Sequence, residues 1–147
     1  MQKRLFLAAG AAILAAGAGA MGFTGRADAK NLTLETLSGA DLASDAGILL
    51  VDIRQPQEWK DSGVVEGAVL QTFTSAESFL KAVAPKLEEG QRLALICRSG
   101  NRTSRASRKI AALVDFPVVD VQGGMIRVVK EGYRPVKPTR KMGCQSC

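Results

Sequence analysis

The stretch Arg92-Leu93-Ala94-Leu95-Ile96-Cys97-Arg98-Ser99-Gly100-Asn101-Arg102-Thr103-Ser104 decides the fold of this chain. It opens with an apolar run, which is typical of a strand that is buried on both faces. Ala106, Ile110 and Leu113 then recur at helical spacing, so a helix begins shortly after the run. The sequence therefore predicts a strand, a short glycine-containing loop and a helix, with the thiol of Cys97 at the end of the strand.

The position of Cys97 favours a reactive sulfur. Loop N–H groups and the positive end of a helix dipole stabilise an anion, and a thiolate is both an anion and a nucleophile. The sequence contains no histidine, which excludes a Cys–His pair, a Ser-His-Asp triad and histidine metal sites. A buried structural cysteine is the alternative interpretation. The arginines beside Cys97 favour the reactive one, because a structural thiol needs no cationic neighbours.

Apolar runs alternate with amphipathic segments along the rest of the chain. Strands are predicted at residues 48–53, 67–70, 92–96 and 117–121, after a short extended piece near residue 31. This alternation predicts an α/β fold with a small, mostly parallel sheet and helices on both faces. Ligands bind outside the carboxyl ends of such strands. Residues 52–54, the Cys97 loop and residues 122–124 follow three of these ends, so we expect them to meet in space.

The N-terminal residues have the pattern of an export signal. Lys3 and Arg4 precede an apolar run, and Ala27-Asp28-Ala29 provides a small-x-small cleavage site. We expect a signal at 1–29 that is cleaved after Ala29, a domain at 30–137 and a flexible tail at 138–147, in a periplasmic protein. The alternative is an uncleaved anchor, the one case in which a membrane would be a partner. The apolar run is slightly short for a span of about 20 residues.

The net charge of +6 is concentrated near the cysteine. The cations in one acid-free stretch are Arg98, Arg102, Arg105, Arg108 and Lys109. A nucleic-acid surface would be expected to place aromatic side chains among them. None is present in this stretch, so we expect no nucleic-acid partner. A small anionic substrate suits the cluster better.

Five fragments, in this order, resemble the single-domain rhodaneses, which are sulfurtransferases. They are Asp52-Ile53-Arg54 with Glu58-Trp59, Gly63-Val64-Val65-Glu66-Gly67-Ala68, Cys97 to Arg102, Gly123-Gly124-Met125 and Gly132-Tyr133-Arg134-Pro135-Val136. The resemblance covers about residues 32–137. The chain departs from the family in having no histidine in the turn at 63–68. It also carries Val128 near the place where many members have a tryptophan.

The resemblance implies a mechanism and a set of site residues. Cys97 would attack the sulfane sulfur of a small anionic donor such as thiosulfate or a persulfide, and a thiol or cyanide would accept the sulfur. The substrate loop would comprise Arg98, Ser99, Gly100, Asn101, Arg102 and Thr103, with Arg98 and Arg102 on the donor oxygens. Within it, Asn101 and Thr103 would stabilise the loop and cap the helix that follows. The structural residues would be Asp52, Arg54, Glu58, Gly123 and Gly124, with Arg54 paired to Glu58. Neither a cofactor nor a metal is implied.

Three other functions remain open at this stage. A protein-tyrosine-type phosphatase also uses a cysteine in an amide cradle that ends in arginine, but it has five residues between them, whereas four separate Cys97 from Arg102. A non-catalytic binding module is the second alternative, because rhodanese-like domains can serve as one.

The third alternative involves the C-terminal pair Cys144 and Cys147. These residues could form a local disulfide or accept sulfur from Cys97 as part of a thiol relay. Two thiolates cannot fill a tetrahedral zinc site alone.

Overall fold

The computed structural model describes residues 29–147. All but the last residue of the predicted export signal at 1–29 therefore lies outside the described residues. The strands are β1 (Leu32–Glu35), β2 (Ile48–Asp52), β3 (Val69–Leu70), β4 (Arg92–Ile96) and β5 (Val118–Val121). The helices are α1 (Gly39–Ser44), α2 (Pro56–Ser62), α3 (Ala76–Val83), α4 (Asn101–Ala111) and α5 (Gly124–Lys130). No helix in this part of the chain is long and apolar enough to span a membrane.

The five strands form one parallel sheet in the order β1-β5-β4-β2-β3. This confirms the predicted α/β class, and every strand pair is parallel. Strand β4 lies at the centre, where Leu93, Ala94, Leu95 and Ile96 are at most 1% exposed. Successive side chains of a strand point to opposite faces, so β4 contributes apolar side chains to both faces of the sheet. Burying one such leucine or isoleucine contributes about 1.5–3 kcal/mol.

The two layers of the core cover the two faces of the sheet. The first layer contains Trp59, Val64, Ile96, Val119 and Val128, among others. The second is formed against α3 and α4 by residues that include Val51, Phe79, Leu95, Ile110 and Val118. The helices therefore cover both faces of the sheet. The loops that follow the strands lie at its carboxyl edge.

Helix α3 begins one residue later than its sequence suggests. The pattern at Thr74-Ser75-Ala76-Glu77 predicts a capping box that opens at Thr74. In the structure Ser75 is the N-cap, and its hydroxyl accepts a hydrogen bond from the Ser78 N–H at 3.2 Å. Pro85 then lies in a one-turn 3₁₀ helix, Ala84–Lys86, because proline removes the N–H that an α-helix needs.

The sequence predicts a flexible tail at 138–147, and in the structure part of this segment, around Cys144, contacts the domain. Cys144 is fully buried in the first core layer and forms a disulfide with Cys147. The N–H of Leu70, at the end of β3, donates to the carbonyl of Met142 at 2.7 Å. The polar composition of the tail concealed a short apolar contact of Met142 and Cys144 with the sheet edge.

Candidate active site

The thiol of Cys97 lies directly after β4, at the carboxyl edge of the sheet. Its side chain is 1% exposed. The Gly100 N–H donates a hydrogen bond to the sulfur at 3.1 Å, and the Thr103 hydroxyl oxygen lies 3.7 Å from it. The loop thus surrounds the sulfur with a backbone donor and a hydroxyl, an arrangement that favours negative charge on sulfur.

The first turn of α5 holds the opposite side of this loop. The Met125 N–H donates to the Cys97 carbonyl at 2.8 Å, and the Ile126 N–H donates to the Arg98 carbonyl at 3.0 Å. These donors are among the N–H groups at a helix start that have no partner within the helix. These bonds hold the first two peptide groups of the loop, and the Gly100 N–H that points at the sulfur belongs to the next peptide group along the chain.

Gly124 makes this contact sterically feasible. A Cβ atom at Gly124 would lie 2.4 Å from the Cys97 carbonyl oxygen, and its φ of +58° also disfavours a side chain. Gly123 is the left-handed N-cap of α5. On the facing loop, a Cβ at Gly100 would lie 3.2 Å from the Gly123 nitrogen. Both glycines of the predicted structural pair therefore bring α5 and the cysteine loop together.

Arg54 has a different partner from the one predicted. It pairs with the carboxylate of Asp52 rather than that of Glu58: its Nε donates to both Asp52 carboxylate oxygens at 3.0 Å, and its Nη2 donates to Oδ2 at 2.8 Å. Both side chains are at most 1% exposed. The guanidinium also donates to the Ser62 hydroxyl and the Gly63 carbonyl, each at 2.7 Å. These hydrogen bonds tie the end of β2 to the end of α2 and hold the Arg54 guanidinium inside the domain.

Glu58 instead binds Arg102 of the loop. Two hydrogen bonds run from the guanidinium to the carboxylate, at 2.7 and 2.6 Å. The hydrogen bond from Arg102, with the backbone N–H of Gln55 and the nearby positive charges, lowers the pKa of Glu58 to about 2. The same hydrogen bond raises the pKa of Arg102. Arg102, predicted to hold the donor oxygens, is therefore braced against α2.

Arg98 is the loop arginine that faces solvent. It is exposed and lines a groove of about 710 Å³ beside the loop. Apolar side chains that line the same groove include Ile126, Val129 and Pro135, and Glu58, Asp61 and Lys130 line it as well. A small anion or a thiol could approach the loop along this groove, with Arg98 as the cationic contact.

The remaining predicted loop residues take different positions. Ser99 and Asn101 are exposed, and Asn101 is the first residue of α4 rather than its cap. Gly100 is the left-handed N-cap of α4. Thr103 is fully buried and donates its hydroxyl proton to the Gly100 carbonyl at 3.0 Å, so it stabilises the loop as the sequence led us to expect.

The structure does not bring the Cys144–Cys147 disulfide to Cys97. Cys144 belongs to the first core layer, whereas Cys97 belongs to the second, on the other face of the sheet. Across residues 29–147, no group of three or more cysteine and carboxylate side chains could hold a metal ion.

Sequence reasoning missed two features of this edge. The hydrogen bonds from the Met125 and Ile126 N–H groups involve only backbone atoms, so the residue types in the sequence could not predict them. The second feature is Asp120, which is 1% exposed on β5. A lone acid within Val118-Val119-Asp120-Val121 was a readable signal, because a buried strand rarely carries an uncompensated carboxyl group.

The fold and the site together define a class: a small α/β domain that presents a cysteine loop at the carboxyl edge of a parallel sheet. The model of the rhodanese-like domain family matches residues 38–136. The chain belongs to this family.

Solved structures agree with this assignment. A rhodanese-related protein from Thermoplasma volcanium is 28% identical, with a TM-score of 0.55, over 71% of this chain and 99% of that one. Two others show the fold alone. The first, from Rhodopseudomonas palustris, is of unknown function and described as a possible tyrosine phosphatase (23% identical, TM-score 0.58, 70% of this chain and 85% of that one). The second is a rhodanese-like domain from Anabaena (15% identical, TM-score 0.54, 76% and 85%). No curated protein matches the chain.

Replacing Gly124 should separate the cost of backbone strain from the cost of lost contact with the loop. Gly67→Ala is the matched control, because Gly67 has a φ of +77° but nothing within 4 Å of an added Cβ. Left-handed strain alone costs roughly 1–2 kcal/mol. We expect Gly124→Ala to lower the free energy of unfolding in urea by more than Gly67→Ala does. Equal losses would mean that α5 does not press on the cysteine loop.

The Arg102–Glu58 pair should give a pH-dependent stability. The pKa of Glu58 falls from 4.5 to about 2 on folding, so the pair stabilises the fold fully above pH 4.5 and loses this contribution as the pH falls toward 2. The difference in unfolding free energy between wild type and Glu58→Gln should shrink over that range. Glu89→Gln, at an exposed acid, is the control. A difference for Glu58→Gln that stays constant from pH 5 to 2 would contradict the pairing.

Proposed function

We propose that this protein is a sulfurtransferase that carries sulfane sulfur as a persulfide on Cys97. The observation that supports this most is the hydrogen bond from the Gly100 N–H to the cysteine sulfur at 3.1 Å. A fixed backbone donor favours an anionic sulfur, and an anionic sulfur is the nucleophile that this reaction requires. Membership of the rhodanese-like family supports the same reaction class.

The reaction has two transfers. In the first, the Cys97 thiolate attacks the outer sulfur of a donor. A new S–S bond forms, the bond between the outer sulfur and the rest of the donor breaks, and sulfite leaves thiosulfate, or a thiolate leaves a persulfide. In the second, an acceptor thiolate attacks the terminal sulfur of the Cys97 persulfide and takes it, and the Cys97 thiolate is restored. Each attack supplies an electron pair and each leaving group removes one.

The charges of the loop suit a small anionic donor. Arg98 is exposed beside the groove and can bind donor oxygens or a persulfide anion. Arg102 is held by Glu58, so its role is to keep the loop in place while adding positive potential near the sulfur. The positive charges of Arg98 and Arg102 attract an anionic donor toward the Cys97 thiolate that must attack it.

The acceptor is an external thiol in this proposal. Cys144 of the Cys144–Cys147 disulfide is packed on the other face of the sheet, which supports a structural role for that pair. The export pattern at residues 1–29 supports placing both transfers in the periplasm, where a small sulfur anion and a thiol would be the partners.

Intact mass spectrometry after incubation with thiosulfate, and separately with a small persulfide, tests the proposal. We expect wild type to gain one sulfur atom and to lose it when a thiol is added. Cys97→Ser should gain none, because the nucleophile is absent. The control variant Cys144→Ala/Cys147→Ser should gain sulfur as wild type does.

Two results would overturn the proposal. A wild-type protein that gains no sulfur from either donor would favour the binding module. Hydrolysis of an aryl phosphate without sulfur uptake would favour the phosphatase, whose cradle normally has one residue more than the four between Cys97 and Arg102.

A further inference from the structure

A second concave surface lies beside β3, the strand at one edge of the sheet. We call it the edge pocket. Its volume is about 910 Å³, and residues of α2, of β3 and of the C-terminal segment are among those that line it. Within residues 29–147, the lining residues include none of the cysteine loop at 97–103. The edge pocket is therefore separate from the site at which sulfur transfer is proposed.

The edge pocket carries an excess of positive charge. Three cations line it, Lys86, Arg140 and Lys141, and all three are exposed. Glu66 is the one acid among the described residues that line it. None of the three cations forms an ion pair with another residue in the described part of the chain. Like charges around one concavity repel one another, and an anion that binds among them relieves this repulsion.

The C-terminal segment is attached to β3 next to the pocket. The Leu70 N–H donates to the Met142 carbonyl at 2.7 Å. Gly143 comes so close to the strand that a Cβ atom there would lie 2.4 Å from the Leu70 carbonyl oxygen, and its φ of +120° is one that glycine adopts easily. Cys144 is fully buried in the first core layer. These contacts limit where the residues immediately before them can lie.

Arg140 and Lys141 are those residues, and they belong to a hydrogen-bonded turn. The Gly143 N–H donates to the Arg140 carbonyl at 3.0 Å, and the Met142 N–H donates to the Thr139 carbonyl at 3.1 Å. Two adjacent cations thus extend from a turn that is itself attached to the sheet. A ligand that binds such a turn orders less backbone than one that binds a free chain end, so the entropic cost of binding is smaller.

Trp59 provides a reporter in the lining of the pocket. It is the single tryptophan of the chain and lines the edge pocket from α2. Its indole N–H is buried and has no hydrogen-bond partner among the described residues. Because this N–H does not reach the surface, we expect its NMR resonance to sense a charge placed in the pocket without binding the ligand directly.

We propose that the edge pocket binds a small polyanion, a molecule with at least two negatively charged oxygen groups. The guanidinium of Arg140 can bind a phosphate or a carboxylate through two parallel hydrogen bonds, whereas Lys86 and Lys141 act as point charges for either group. A cleft of this volume has the dimensions of a small-molecule site. Oligophosphates and polycarboxylates share this chemistry. Binding at the edge pocket does not depend on the proposed sulfur transfer.

The indole N–H resonance of the isotope-labelled full chain tests the inference. At constant ionic strength, we expect titration with tripolyphosphate or with citrate to shift this resonance to a saturating value. Arg140→Gln/Lys141→Gln should weaken binding by roughly tenfold, because two charge contacts are lost. Lys81→Gln/Arg105→Gln removes the same two charges at exposed positions outside the pocket. This matched control should bind as wild type does.

The two probes separate the sources of the ligand. Saturation by tripolyphosphate alone indicates an oligophosphate, saturation by citrate alone indicates a polycarboxylate, and saturation by both indicates a site that selects charge. Saturation by neither overturns the inference, and so does equal affinity of wild type and Arg140→Gln/Lys141→Gln. Lys86→Gln leaves the C-terminal turn unchanged and should also weaken binding. An unchanged affinity of Lys86→Gln would overturn the assignment of the three cations to one site.

Discussion

The cysteine loop depends on two hydrogen bonds from the first turn of α5. The Met125 and Ile126 N–H groups bind the carbonyls of Cys97 and Arg98, and these bonds orient the peptide groups around the sulfur. They exist only because Gly124 lets the helix approach to a distance at which a Cβ atom would clash. A helix start has N–H groups to satisfy and a loop has carbonyls to satisfy, so each meets the requirement of the other. The arrangement of the loop around the Cys97 sulfur thus results from satisfying the backbone hydrogen bonds at one edge of the sheet.

Two ion pairs then hold the neighbouring elements in place. Asp52 and Arg54 are fully buried, and the Arg54 guanidinium also donates hydrogen bonds to the Ser62 hydroxyl and the Gly63 carbonyl. Such a pair is weak as a source of stability, but removing one partner typically costs about 3–5 kcal/mol. The Arg102–Glu58 pair is partly exposed and ties α4 to α2. Because these pairs engage Arg54 and Arg102, Arg98 is the loop cation that is free to bind a ligand. The loop is thus held rigid while one positive charge stays available.

Local patterns were sufficient to predict the strand, the loop and the helix around Cys97. The apolar run at β4 and the helical spacing of α4 are adjacent in sequence, so no long-range information was needed. The partner of Arg54 was predicted incorrectly because Asp52 and Glu58 are both within reach in sequence, and only the burial of Asp52 decides between them. The packing of Cys144 and Met142 against β3 was hidden in a polar segment. Asp120 was visible as an acid in an apolar strand, yet its position beside Leu95, on the face of the sheet that carries Cys97, follows from the register of β4 and β5. Long-range register of this kind is what sequence pattern alone leaves undetermined.

The proposed chemistry follows from a thiol that is buried, bonded by a backbone N–H and supplied with one accessible cation. The most direct test of this geometry is amide hydrogen exchange, resolved by NMR. We expect the Gly100 N–H to be protected in wild type and to lose its protection in Cys97→Ala, while the Met125 and Ile126 N–H groups stay protected in both. A Gly100 N–H that exchanges freely in the wild-type protein would contradict the account, because the sulfur would then lack the donor on which its reactivity is argued to depend.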